Sequence, residues 1–296
     1  RLNPDAVLMD LTMRGAGAPS LLGQIKAKEN RTFLPVIAFV TAITRDMRHL
    51  AVTHGASDII VKFGDSDEVL HRLNNFLQIR HLQGRLRQEN LTLEETVAVR
   101  TAALERAHKD LAERMATAVE YRHDEKGDHA SRVGALSAQI GKVLGMKEAD
   151  TEILRVAAGL HDVGNVCVPD PVLLKPGPLD FAEREMMELH AAVGGELLSR
   201  GHSALLRMAE EIARTHHERW NGTGYPRGLR HELIPLTGRI VAIADVYDAL
   251  INDRPYRRAK SHEEALAEID KLSGVQFDPT VVRAFRNVIS DKRRAA

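Results

Sequence analysis

The sequence has one cysteine, Cys167, in 296 residues. This excludes disulfide scaffolds and CxxC zinc sites, and it makes a reducing compartment, the cytoplasm, the expected location. The chain has no net charge, since Lys plus Arg and Asp plus Glu both total 41. A surface for polymeric nucleic acid is therefore not expected, although local clusters inside a neutral total leave room for a small anionic ligand. There is no run of eighteen or more apolar residues and no signal peptide, so no membrane span is expected. Internal repeats and low-complexity tracts are also lacking. The chain starts at Arg1, just ahead of a buried-strand pattern, and we expect a longer protein of which this is part.

What is present fits a soluble globular chain of about two domains, with 44% hydrophobic and 28% charged residues. Residues 1–76 alternate between short apolar runs, "AVLMDL", "PVIAFVT" and "SDIIVK", and amphipathic stretches placed where crossover helices belong. That rhythm predicts an α/β unit with a doubly wound sheet, of which about three strands are encoded. Residues 77–119 have no proline and one glycine, Gly84. Val97, Leu104 and Leu111 recur every seventh residue, with Leu93 and Met115 four positions from members of the series. Arg100, Thr101 and His108 interrupt this seam. The segment reads either as a solvated connector helix or as a parallel coiled-coil stalk joining two copies. Residues 120–296 carry helical periodicity throughout, interrupted by Gly/Pro-rich loops at 169–180 and 221–235, and predict an all-α bundle. Asp180 with Glu183 three residues on predicts a capping box at a helix start.

The helical half contains His129, His161, Asp162, His190, His216, His217 and Asp245 in or at the ends of predicted helices, with Glu125 one turn before His129. Imidazole and carboxylate ligands suit Mn, Fe, Zn or Ni. Adjacent helical residues point roughly 100° apart, so His161 and Asp162 are suited to two neighbouring ions rather than one. The carboxylate can then bridge, and His216–His217 repeats the logic. Two ions roughly 3.5–4 Å apart can activate a hydroxide and stabilise in-line displacement at phosphorus. Asp245, flanked by apolar residues in "AIADVYDAL", requires a compensating charge if buried.

The ordered series H, HD, H, HH, GYP, D resembles the HD-GYP subgroup of the HD phosphohydrolases, supported by "VPDPVLLKPGPLD", "HHERWNGTGYPRGL", "IPLTGRIVAIADVYDAL", "NDRPYRRA" and "VQFDP". The resemblance implies hydrolysis of cyclic di-GMP to pGpG or GMP at a centre of two or three divalent metals, iron or manganese foremost and zinc or nickel next. It implies His161, Asp162, His190, His216, His217 and Asp245 as ligands of a two-metal core, with His161 and Asp162 also catalytic. Glu125 and His129 match positions that complete a third ion's site. Arg254 and Arg257 match phosphate contacts, which suits the planar fork of guanidinium. Tyr225 in "NGTGYP" is either a local packing residue or a contact to ligand or partner. Two positions depart from the pattern: Asn165 stands where lysine is usual, and Asn221 where aspartate is frequent. Loss of a lysine beside a phosphodiester predicts reduced turnover, with Asn165 left as a neutral hydrogen-bonding substitute at the substrate. The alternatives are a catalytically weak sensor or protein-docking module, and a hydrolase of another cyclic or linear dinucleotide.

The front half resembles response-regulator receiver domains of flavodoxin-like fold. Asp10 matches the phosphoacceptor, Thr41 the switch hydroxyl and Lys62 the phosphate-contacting lysine. Phe63 and Arg14 depart from the pattern, and the strand–helix–strand unit carrying the Mg²⁺-binding acids has no counterpart here. The expected organisation is thus a partial receiver (1–76), a connector helix (77–119) and an HD-GYP output domain (120–296). Mg²⁺ would serve a complete receiver. Expected partners are cyclic di-GMP, a cognate sensor histidine kinase, a second copy through the connector, and diguanylate cyclase-type proteins.

Overall fold

The structure is a computed structural model, which describes residues 4–13, 17–27, 33–122, 128–253 and 258–295. The chain divides into two units, Arg1–Ala103 and Leu104–Ala296.

In the first unit, β1 (Val7–Asp10), α1 (Ala18–Ala27), β2 (Val36–Val40), α2 (Arg45–Thr53) and β3 (Asp58–Val61) follow one another. The three strands are parallel in the order β1-β2-β3, with Val7 opposite Val36 and Val40 opposite Val61. Parallel pairing requires crossovers, which α1 and α2 supply. The central strand is the most buried, and Met9, Leu11, Leu22, Val36, Ala38, Val40 and Ala51 form the core. The doubly wound sheet expected from the sequence is smaller than that name implies. Among the described residues it has three strands, and edge strand β1 leaves Leu8 half exposed.

Helix α3 runs from Ser66 to Glu120. The segment read as a connector, 77–119, lies inside it. Leu93, Val97, Leu104 and Leu111 are 57–66% exposed, whereas Ala112 and Ala116 are buried in the core of the second unit.

The second unit is helical: α4 (His129–Val143), α5 (Glu148–Ala158), α6 (Asp170–Leu173), α7 (Phe181–Leu198), α8 (Ala204–Thr215), α9 (Leu236–Ile251), α10 (His262–Lys271) and α11 (Pro279–Ala295). The one-turn helix α6 falls in a stretch read as loop, with Pro171 in its first turn. The capping box at Asp180 is present in both halves, since Asp180 Oδ1 accepts from the Glu183 amide at 2.9 Å and Glu183 Oε2 from the Asp180 amide at 2.8 Å. Such caps contribute about 1 kcal/mol. Helix α9 is buried nearly all round, with Ile240, Val241, Ile243 and Ala244 in the core, which marks it as the central helix. Consequently any acid on α9 sits inside the protein. Among the described residues, no helix is long and apolar enough to cross a membrane.

Candidate metal centre

Helix α5 ends at Ala158, and His161 and Asp162 lie in the turn that follows rather than on a helix. In the tightened turn after the helix the Ala158 carbonyl accepts the His161 amide at 3.2 Å, and His161 Nδ1 donates to the same oxygen at 2.8 Å. His216 caps α8 in the same manner, its Nδ1 lying 3.1 Å from the carbonyls of both Ile212 and Ala213. His190, within α7, donates from Nδ1 to the Met187 carbonyl at 2.6 Å. A proton committed at Nδ1 leaves the Nε2 lone pair to face the interior in all three rings.

The next residues after Asp162 fix how closely these pieces meet. Gly164 lies against α7, where an added Cβ would stand 1.9 Å from the His190 carbonyl oxygen and 2.7 Å from the Gly194 amide nitrogen. No side chain fits there, so the HD turn and the helix carrying His190 meet backbone to backbone.

Two groups of ligand atoms result. Asp162, His190, His216 and His217 form one, and His129, His161 and Asp245 the other, with the atoms of each group within 4.8 Å of one another. Asp162 spans both. Its Oδ1 is 3.4 Å from Nε2 of His190 and of His216, and its Oδ2 is 3.6 Å from His161 Nε2. Asp245 Oδ1 is 3.3 Å from His129 Nε2.

This arrangement fits divalent cations. His161 Nε2 is buried with no hydrogen-bond partner. The Nε2 atoms of His190 and His216 lie 3.4 Å apart, a spacing that a shared proton or a cation between the two rings satisfies. Burial pushes the imidazoles of His161, His190 and His217 below their ordinary range, and His216 reinforces this in each; these three are neutral, the ligand form. Burial also works against His216 and His129, but Asp162 holds the first above the usual imidazole range, while Asp245 and Asp248 hold the second up to about 10. In the second group the protonated His129 supplies the charge a cation would bring. Burial would raise Asp162, yet the three surrounding histidines hold it well below the usual carboxylate range.

Several contributors were not anticipated from the sequence. Asp248, one turn beyond Asp245 on α9, accepts His129 Nδ1 at 2.7 Å. Arg132 grips Asp248 with Nε–Oδ1 at 2.7 Å and Nη2–Oδ2 at 2.9 Å. The Arg132–Asp248 pair therefore orients His129, and the signal was a second acid at i+3 on an otherwise apolar helix. Glu218, after the paired histidines, is buried and accepts the amides of Arg227 and Leu229 at 2.8 and 2.9 Å. It pins the loop bearing Tyr225. Gly224 makes this loop's close approach possible, since a Cβ there would stand 2.4 Å from the Arg219 amide nitrogen and 2.5 Å from the His217 carbonyl. Tyr225 then stacks on His217, with ring centroids 4.7 Å apart, and burial keeps its phenol protonated. Asn221 Oδ1 accepts the amide and hydroxyl of Thr223 at 3.0 and 2.7 Å and so shapes the same loop.

Asn165 is buried, its Oδ1 has no hydrogen-bond partner, and its own carbonyl accepts from Arg122. Glu125, Arg254 and Arg257 lie outside the described residues, as does Arg14. In the first unit, Asp10 ends β1, Thr41 follows β2 and Lys62 follows β3, all at the C-terminal edge of the sheet. Lys62 Nζ donates to Asp10 Oδ2, and to Thr12 Oγ1 at 2.8 Å. Thr12 donates to Asp10 Oδ1 from its amide at 2.8 Å and its hydroxyl at 2.7 Å. Lys62 and Thr12 together lower the Asp10 carboxyl to about 2, while Thr41 is exposed.

A helical domain carrying two abutting His/Asp groups defines a metal-dependent hydrolase. The family model that matches is the HD domain, over residues 110–281, and the chain belongs to that family. A protein of Thermotoga maritima named a cyclic di-GMP phosphodiesterase is 38% identical over 96% of this chain and 78% of its own length. A cyclic di-GMP phosphodiesterase response regulator of Xanthomonas campestris is 35% identical over 95% of this chain and 74% of its own length. A 3'3'-cGAMP-specific phosphodiesterase of Vibrio cholerae is 41% identical over 60% of this chain and 34% of its own length.

Proposed function

We propose that the protein hydrolyses cyclic di-GMP at the paired His/Asp groups, as the output of a response regulator. The observation that carries this reading is Asp162, whose two oxygens face the two ligand groups. His161, His190, His216, His217, Asp162 and Asp245 would hold two divalent ions, iron or manganese foremost and zinc or nickel next, with His129 and Glu125 serving a third. Ions held there lower the pKa of water and withdraw charge from phosphoryl oxygens. The protein's own part is orientation and charge. Asp162, ionised and shared, accepts a hydrogen bond from the attacking water; the water's oxygen adds to phosphorus and gives a proton up to solvent, while the bond to the 3′ oxygen breaks and that oxygen takes a proton from solvent. The product is pGpG, with GMP after a second round. Tyr225, protonated and stacked on His217, offers a donor hydroxyl. Arg254 and Arg257 would contact substrate phosphate, and Asn165 stands where a lysine would add positive charge.

The placement of Asp10, Thr41 and Lys62 at one sheet edge supports a receiver-like front unit of residues 1–76, phosphorylated by a sensor histidine kinase where Mg²⁺ is supplied. The exposed apolar row on α3 supports pairing of two copies through the connector of residues 77–119, ahead of the output domain at 120–296. A second reading, a sensor with weak turnover, is favoured by Asn165, a buried neutral residue whose Oδ1 has no hydrogen-bond partner. A third, hydrolysis of another cyclic dinucleotide, is favoured by the Vibrio relative. The deciding experiment is product formation from cyclic di-GMP and from 3′3′-cyclic GMP-AMP by protein purified without oxygen and assayed for metal. Production of pGpG supports the proposal. Full metal occupancy and tight binding without product supports the sensor.

A further inference from the structure

A cavity of about 400 Å³ opens beside the ligand groups and is lined by His216, His217 and Asp245 together with Arg184, Arg219 and Gln276. This size is ordinary for a small-molecule site. Arg219 is partly buried, and its Nε is buried with no hydrogen-bond partner. Among the described residues, its guanidinium is in no ion pair either. Two carboxylates besides Asp245 line the cavity, and neither neutralises it. Glu218 is occupied by the amides of Arg227 and Leu229, and Glu188 makes no ion pair with Arg219. A guanidinium taken partly out of water without an anion is costly, and its planar fork matches a phosphate.

We propose that Arg219 is the anion subsite of this cavity and binds the phosphodiester that is not being cleaved. This rests on the dinucleotide reading above. Such a substrate carries two phosphodiesters, and only one can lie at the Asp162 and Asp245 groups. The second enters the same cavity with its charge, and Arg219 is the partly buried cation there that lacks a partner. Gly224 packs directly on the Arg219 amide, so the loop bearing Tyr225 and the subsite are parts of one construction. Arg184, exposed on α7 at the cavity wall, adds charge nearby. Arg219 thereby favours substrates with two phosphates in one ring over single diesters.

The test uses the full chain with Arg219→Ala and Arg219→Lys. Calorimetry follows cyclic di-GMP and, separately, inorganic phosphate into chelator-treated protein, and kinetics follow the metal-loaded protein. A charged hydrogen bond of this kind predicts a dissociation constant raised tenfold or more, on the order of 10–100-fold, in Arg219→Ala. KM rises with it, kcat changes less, and Arg219→Lys recovers part of the loss. Equal dissociation constants and KM in wild type and Arg219→Ala, with metal content retained, overturn the subsite and leave the proposed activity standing. Arg219-dependent binding of phosphate without any dinucleotide hydrolysis overturns the activity and leaves the subsite standing. If Arg219→Ala does not fold, Arg219→Lys against wild type decides, since a lysine keeps charge but loses the fork. Unchanged dissociation constants and KM in that variant overturn the subsite.

Discussion

Gly164→Ala tests whether backbone contact sets the spacing of the metal-binding side chains. The added methyl would stand 1.9 Å from the His190 carbonyl oxygen, and real Cβ atoms essentially never approach closer than 3.0 Å. The HD turn and α7 must therefore separate by about 1.1 Å. Both sides of the contact are backbone, so no side chain can rotate away. The Asp162–His190 distance, 3.4 Å in the native arrangement, would lengthen accordingly. Overpacking of this kind costs about 1–3 kcal/mol. For a domain of this size that lowers Tm by about 2–12 °C, measurable by differential scanning calorimetry. Displacement of a catalytic group by about 1 Å costs on the order of 10²-fold in rate. Elemental analysis should show loss of the ion held by Asp162, His190, His216 and His217, with the ion at His161 and Asp245 retained. Gly194→Ala is the graded control, because its Cβ would meet the Gly164 nitrogen at 3.2 Å, a tight but tolerable distance. Unaltered metal content and turnover in folded Gly164→Ala protein would refute the argument.

Three further outcomes are expected. Asp248→Asn weakens the hold on His129, and metal affinity of the His129, His161 and Asp245 group should fall about 10–100-fold in a competitive chelator titration. Asn165→Lys should raise kcat, by about tenfold or more, with metal content unchanged, as steady-state assays of dinucleotide hydrolysis would report. The Asp10 carboxyl, lowered from 3.8 to about 2, should stay ionised as pH falls through 4. Because its folded pKa is depressed, its stabilising contact with Lys62 is complete above about pH 4 and is lost as pH approaches 2. A carbon-13 titration of that carboxyl checks this, and a midpoint near the ordinary aspartate value would contradict the Lys62 contact.

The order of imidazoles and acids made the centre legible because metal ligation restricts residue type. The capping box at Asp180 was legible because both partners lie within one turn. The three strands were visible for a similar reason, each being a contiguous apolar run. Asp248 was harder, since its partners His129 and Arg132 lie over a hundred residues away and the only local signal is its place three residues after Asp245 on an apolar helix. Glu218 was hidden differently, because it serves amides, which every residue except proline carries. Apolar periodicity places the HD pair at a helix end but not the path there: the chain leaves α5 at Gly159, and the Ala158 carbonyl takes both the amide and the ring of His161.

That detail has a consequence for how such a centre tolerates change. Ala158, Met187, Ile212 and Ala213 hold histidine rings through their carbonyl oxygens. Any amino acid carries that oxygen, so the grip on the rings does not depend on side-chain identity, and what constrains Ala158, Ile212 and Ala213 is their burial in the core. The scaffold beneath the rings is inscribed in the path of the chain, and a residue-by-residue reading of sequences passes over it.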